Sequence, residues 1–253
     1  MLKRFFNRGT PRRANPPHLP DGLRVYAIGD IHGCDAQLAT LLERIERDDQ
    51  ARGGEPATLI FLGDLVDRGP DSAGVVGRLL DLSERRGGCR FLMGNHEEVF
   101  LKALSGDSKA LRFFIRIGGI ETLMSYGISA EAYRAADFDE LMALAQAAVP
   151  ESHLRFVGGF EDLIEIGDYV FVHAGIRPDV ALADQRPSDL RWIREEFLGA
   201  APREGSKVVV HGHTISDAVP LGGHRLGIDT GAYTGGPLTA VGLEGRDQWV
   251  LQS

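Results

Sequence analysis

Six short fragments, each at the end of an apolar run, carry side chains of the kinds that hold metal ions. They are GDIHG (29–33), GDLVDRG (63–69), GNHE (94–97), HAG (173–175), HGHT (211–214) and DTG (229–231). The first five offer Asp30, His32, Asp64, Asn95, His173 and His213, a mixed oxygen and nitrogen set. Such ligands suit borderline divalent ions such as Mn, Fe or Zn, whereas Cu(I) and iron–sulfur clusters call for thiolates. Asp30 and His32 are two apart on what reads as an extended segment, so both can point into one site at a strand end. A carboxylate such as Asp64 can bridge two cations and offset their repulsion. Two ions about 3.5–4 Å apart can hold a phosphoryl group, activate a bridging water and stabilise an in-line displacement.

His96 follows Asn95 directly, so it is carried beside the metals without having to bind one. A histidine oriented by a carboxylate can protonate a leaving alkoxide. Asp67, three residues past Asp64, is the natural orienter. Arg68 beside it can fork onto phosphate oxygens. Taken singly, Gly-Asp at a strand end is an ordinary turn and His-Ala-Gly an ordinary packed histidine. The ordered set is what points to a metal centre. His18, His153 and His224 lie outside the fragments and receive no role.

The elements that must position these residues follow from hydrophobic spacing. Leu23–Ile28, Ala57–Leu62 and Cys89–Met93 are short β-rich runs, each ending at a fragment. Helical spacing follows the first run at Leu38, Leu41, Leu42 and Ile45, and the second at Val75, Val76, Leu79, Leu80 and Leu82. Strands alternating with helices imply βαβ units and a parallel sheet. Ligands of such sheets bind at the carboxyl ends of the strands, where the fragments fall. Residues 98–156 read instead as a helical insertion, with IGGIETLMSYG (117–127) either glycine-packed helix ends or a lid beside the cleft. From Leu163 short strands return: hairpins at 163–172 and 238–251, with strands at 208–210 and 225–228 between them. This half reads as a second mixed sheet packed on the first.

The chain has 253 residues, 43% apolar and 25% charged, enough for one large α/β domain with an insertion. No apolar run reaches the about 18–20 residues that span a bilayer, and the basic start lacks a secretory h-region. Residues 1–22 read as a flexible Pro- and Arg-rich basic tail, with 23–253 as the domain. Residues 1–24 carry a net +5 against −8 for the whole chain, so the body is acidic and offers no nucleic-acid face. Cys34 and Cys89 form no CxxC pair and read as reduced, from which a cytoplasmic protein is expected.

On these residues the chain resembles the phosphoprotein phosphatase family of dinuclear metallophosphoesterases, in its bacterial and phage form. GDIHG, GDLVDRG and GNHE match the family's three signature blocks, and the resemblance runs from about residue 25 to 243. It implies a calcineurin-like αββα sandwich of two mixed sheets. It assigns Asp30, His32 and Asp64 to a first metal, and Asp64, Asn95, His173 and His213 to a second, with manganese first among the candidates. His211 is then an outer neighbour of the site, and DTG a turn that places Tyr233. His96 resembles the family's general acid, Asp67 its partner and Arg68 a phosphate-binding arginine. Trp192-Ile193-Arg194-Glu195 matches the segment that supplies a second such arginine, which nominates Arg194. Arg177 in HAGIRP is a further candidate.

The resulting expectation is a serine/threonine protein phosphatase acting on phosphorylated protein or a small phosphoester, in which a metal-bridging hydroxide attacks phosphorus. One alternative is the symmetrical diadenosine tetraphosphate hydrolase, which shares the scaffold but reads GNHD and GHW where this chain has GNHE and GHT. Another is a silent module that recognises phosphate without turnover, against which the intact pair of Asp67 and His96 argues.

Overall fold

The computed structural model describes residues 16–201 and 205–253. Its central strand, β1 (Arg24–Ile28), is buried along its whole length, and its residues alternate between two cores. Val25 and Ala27 face one core while Tyr26 and Ile28 face the other, as the two-residue period of a strand requires. Helix α1 (Asp35–Arg52) crosses to β2 (Thr58–Phe61), and α2 (Ser72–Arg85) to β3 (Cys89–Phe91). The three strands are parallel, in the order β3-β2-β1. Leu38, Leu41 and Ile45 of α1 and Val75, Val76 and Leu79 of α2 pack with Tyr26, Ile28, Leu59 and Phe61.

A run of helices follows: α3 (Asn95–Leu104), α4 (Ser108–Phe114), α5 (Ile120–Ser125), α6 (Ala130–Ala135), α7 (Phe138–Ala148) and α8 (Glu151–Gly158). Between α4 and α5 the helix is broken by a π-helical turn at Ile115–Gly119, within which Gly118 has φ 112°.

The second sheet has the order β4-β5-β6-β7, from β4 (Leu163–Ile166), β5 (Tyr169–Val172), β6 (Val208–His211) and β7 (Arg225–Gly227). β4 is antiparallel to β5, and β5, β6 and β7 run parallel. Short helices α9 (Pro187–Trp192) and α10 (Glu195–Leu198) cover its outer face through Leu190 and Phe197. Between the sheets lie Val25, Ala27, Ile60 and Leu62 against Ile164, Phe171, Val208 and Val210. The result is the four-layered α/β arrangement expected from sequence.

Two boundaries differ from the sequence reading. The last hairpin, β8 (Thr239–Glu244) and β9 (Asp247–Gln252), joins the first sheet and not the second. β8 runs antiparallel to β1 over Arg24↔Glu244 to Ile28↔Ala240 and closes the edge of β1 opposite β2, making that sheet mixed too. Residues 1–15 lie outside the described residues, but the rest of the expected tail is docked. Leu19 is fully buried between the sheets, and its N–H donates to the Gly245 carbonyl at 2.7 Å. No helix among the described residues is long and apolar enough to cross a membrane.

Candidate active site

Six strands deliver the site. The segments after β1, β2 and β3 carry Asp30, Asp64 and Asn95, and those after β5, β6 and β7 carry His173, His213 and Asp229. The carboxyl ends of both sheets therefore meet at one place, and Asp64 lies at its centre. Its Oδ2 is 3.6 Å from His32 Nε2, 3.4 Å from His173 Nε2 and 3.9 Å from His96 Nε2. His173 Nε2 is also 2.9 Å from Asn95 Oδ1 and 3.2 Å from His213 Nδ1. All of these side chains are buried.

The backbone here is bent in a way that the sequence does not announce. Five non-glycine residues among those described have positive φ: His32, Asp64, Asp67, Arg68 and His213. All five are site residues, and such strained conformations gather where surrounding structure holds them for function. His32, at φ 45°, is thus not on the extended segment inferred from its spacing to Asp30. The reason is tertiary: the N–H groups of Ile31 and His32 both donate to the Asp64 carbonyl, which turns the chain.

Glu97, absent from the sequence-derived site, holds the second loop. Its buried carboxylate accepts N–H groups from Asp64 at 2.7 Å, Leu65 at 2.8 Å, Gly94 at 3.1 Å and Val66 at 3.3 Å. Its position as the fourth residue of GNHE was the available signal. Asp229, read from sequence as part of a turn, is 3% exposed and accepts the Gly231 N–H at 3.0 Å.

Five carboxylates are thus buried close together: Asp30, Asp64, Asp67, Glu97 and Asp229. Burial pushes the Asp30 pKa up, and the charge of Asp229 adds to it. Burial and the charge of Asp64 raise Glu97 to about 7. Burial alone would raise Asp64 as well, but the imidazoles of His173 and His96 hold it well below the usual carboxylate range. His173 moves the other way: burial lowers its pKa, yet Asp64 outweighs this and leaves it at about 9. This cluster requires positive charge.

The donor set fits divalent cations. His32 Nδ1 donates to the Val66 carbonyl and His173 Nδ1 to the Leu62 carbonyl, each at 2.8 Å. Both rings therefore turn Nε2 inward, the outer support usual for metal-binding histidines. His173 Nε2, Asn95 Oδ1, His213 Nδ1 and Asp64 Oδ2 converge, and the positive charge that Asp64 draws onto His173 is one that a bound cation could supply in its place. Two groups have all ligand atoms within 4.8 Å of one another: His32 with Asp64 and His96, and Asp64 with His173 and His213. Asp30 borders the second, with both carboxylate oxygens taking the His213 N–H, at 3.1 and 3.0 Å.

Beside the ligand cluster, His96 Nδ1 donates to Asp67 Oδ2 at 2.6 Å. Arg68 spans two imidazoles, with Nη1 2.9 Å from His32 Nε2 and Nη2 2.8 Å from His96 Nε2. The Arg68 N–H donates to the Gly118 carbonyl at 3.0 Å. A Cβ on Gly118 would stand 2.7 Å from Arg68 Cγ, so only glycine fits there. Tyr233 walls the site, its ring 5.0 Å from that of His32 and 4.8 Å from the Arg68 guanidinium carbon.

Arg194 stands at the rim, its Nη1 3.3 Å from Thr214 Oγ1 beside His213. Arg177 does not belong to the cluster: its guanidinium is forked onto Asp189 and close to Glu196. His211 is buried with its ring against Phe197, and its Nδ1 pairs with the Gly212 carbonyl. Cys34 directs Sγ to the His32 carbonyl at 3.6 Å and reaches no ligand group. Both cysteines are free.

The calcineurin-like phosphoesterase family model matches residues 23–237. Among curated proteins, the bis(5'-nucleosyl)-tetraphosphatase PrpE (asymmetrical) of Bacillus velezensis is 29% identical over 232 residues, covering 84% of this chain and 86% of the relative. The protein of the same name from Bacillus subtilis is 28% identical, covering 84% and 87%. Among solved structures, a putative diadenosine tetraphosphatase superposes with a TM-score of 0.61 at 24% identity, covering 94% of this chain and 99% of that one. A Saccharomyces cerevisiae serine/threonine phosphatase gives 0.56 at 15% identity, covering 92% and 80%.

Proposed function

The chain belongs to the calcineurin-like phosphoesterase family, and we propose that within it this protein hydrolyses dinucleoside polyphosphates to unequal products. The observation that carries this reading is the shared name of the curated relatives, each matched over more than four fifths of this chain. The protein phosphatase expected from sequence gains no such support. The GNHE and GHT signals spoke only against the symmetrical hydrolase, and the relatives are of the asymmetrical kind.

The residues suit attack on a phosphoanhydride. Asp30, His32, Asp64, Asn95, His173 and His213 would hold two divalent ions, whose chemistry is to acidify water and neutralise phosphoryl charge. Arg68 exchanges its bonds to His32 and His96 for two phosphate oxygens, and Arg194 approaches from the rim. As water oxygen bonds to phosphorus, the bond to the leaving oxygen breaks. His96 Nε2, once Arg68 has left it, takes up a proton and passes it to that oxygen, the attacking water releases its own proton to solvent, and Asp67 keeps the other ring nitrogen protonated and the ring aimed.

A second reading, a phosphomonoesterase acting on alkyl esters, is favoured by the His96–Asp67 pair itself. An alkoxide needs a proton to leave far more than a nucleotide phosphate does.

The two readings separate in one assay. Manganese-loaded protein is given diadenosine tetraphosphate and a phosphoserine peptide in parallel, and products are resolved by ion exchange. AMP with ATP, and slow or no release from the peptide, is expected. Two equivalents of ADP, or rapid phosphate release from the peptide with the dinucleotide intact, would overturn the proposal.

A further inference from the structure

We propose that Thr122, on the helical insertion, is a positioning residue for proton delivery, extending the His96–Asp67 pair into a His96–Asp67–Thr122 chain. The inference rests on the reading of His96 as the proton donor. Thr122 is fully buried on α5, 55 residues from Asp67 in sequence, yet its Oγ1 donates to Asp67 Oδ1 at 2.8 Å. Oδ2 of the same carboxylate takes the His96 Nδ1–H at 2.6 Å. Each carboxylate oxygen therefore has its own donor, and the plane of the group is fixed between them.

Donor counting sets the direction of the chain. Thr122 Oγ1 has one hydrogen, and Asp67, an acceptor, claims it. Ser72 Oγ, 2.8 Å from Thr122 Oγ1, must then donate to Thr122. The Asp67 N–H is shared between the two hydroxyls, at 2.8 Å to Thr122 and 3.0 Å to Ser72. Two buried hydroxyls thus grip both ends of a residue whose φ is 75°, a conformation that needs outside support. Without Thr122, Asp67 keeps His96 as a partner but loses what prevents its carboxylate from rotating.

The same segment serves Arg68 through the Gly118 carbonyl. The insertion is therefore the frame on which both the acid pair and the phosphate arginine are set. This places a function on the motif-like stretch 117–127.

Thr122→Val keeps the shape and removes the hydroxyl; Thr122→Ser restores it. On an alkyl phosphate such as phosphoserine, Thr122→Val is expected to lose about 10- to 100-fold in kcat, the effect of a lost hydrogen bond to a charged group. On p-nitrophenyl phosphate, whose leaving group hardly needs a proton, the loss is expected to stay within about threefold. Thr122→Ser should stay close to wild type on both. A merely structural role would lower both substrates together.

A readout free of turnover accompanies this. In metal-free protein the downfield proton resonance of His96 Nδ1–H, identified by its loss in His96→Asn, should move upfield in Thr122→Val and stay in Thr122→Ser. Should Thr122→Val not fold, Ser72→Ala is expected to shift the same resonance and the same substrate ratio by a smaller amount. Equal losses on both phosphates, or an unmoved resonance, overturn the inference. If wild type is inactive on both monoesters, as the dinucleotide reading allows, the resonance alone decides: an upfield move in Thr122→Val supports the inference and an unmoved one overturns it, while equal losses of His96→Asn on two active monoesters would sink the reading of His96 as acid.

Discussion

The carboxylate of Glu97 accepts the backbone N–H of Asp64 at 2.7 Å, from 33 residues away in sequence. Through this bond and two more, from the N–H groups of Leu65 and Val66, one buried side chain holds the loop that carries the central carboxylate at φ 50°. Glu97→Gln would turn an amide NH₂ toward backbone donors and leave some of them unpaired. A cost of about 2–4 kcal/mol is expected from a buried network broken this way, measured by urea unfolding. Metal affinity should fall about 10- to 100-fold in calorimetric titration with manganese, the usual effect of losing an outer support. Unchanged affinity would mean that Asp64 holds its position without Glu97.

A second expectation concerns acid. Asp48 Oδ2 accepts from Tyr26 Oη at 2.6 Å, Trp249 Nε1 at 2.9 Å and Arg52 Nε at 3.0 Å, tying α1 to β1 and β9. Burial would raise its pKa, but these bonds and the charge of Arg52 bring it below the ordinary 3.8. A carboxyl depressed in the folded state contributes stability that is complete above its unfolded pKa and is lost as pH falls through the folded one. Asp48→Asn should therefore lower Tm at pH 7, and the gap to wild type should close as pH drops below 3.8. A gap of constant size down to pH 2 would show that the charge of Asp48 contributes nothing.

Much of this architecture was legible in sequence because it is periodic. The strands before Asp30, Asp64 and Asn95 are apolar runs stopped by glycine, and that local pattern survives folding. The position of β8 beside β1 was not legible, since a pairing of Ile28 with Ala240 depends on which sheet edge lies open. Leu19 was hidden by its neighbours: prolines and basic residues suggested a solvated tail, and only the gap between the sheets explains its burial.

The site divided along the same line. Its ligand-type residues could be read because their chemistry is restricted to a few side chains, in fragments with a fixed order. The roles of Glu97 and Thr122 were not read, although Glu97 closes GNHE, since a buried Glu or Thr acquires its role from a partner on another element. Arg177 shows the reverse error: its place after HAG suggested phosphate binding, and Asp189 had already claimed its guanidinium. The positive φ angles at His32 and His213 arise from tertiary hydrogen bonds, to the Asp64 carbonyl and the Asp30 carboxylate, and leave no trace in residue spacing.

In the function proposed above, two divalent ions held by these residues let the protein split dinucleoside polyphosphates. Its most direct test measures bound metal and turnover on one sample: elemental analysis of manganese-loaded protein beside its rate on diadenosine tetraphosphate, repeated after chelation and with His213→Ala. Two ions per chain are expected, with release of AMP and ATP that stops on chelation and returns with manganese, and loss of both an ion and most of the rate in the variant. Undiminished hydrolysis by the chelated, metal-free protein would contradict it.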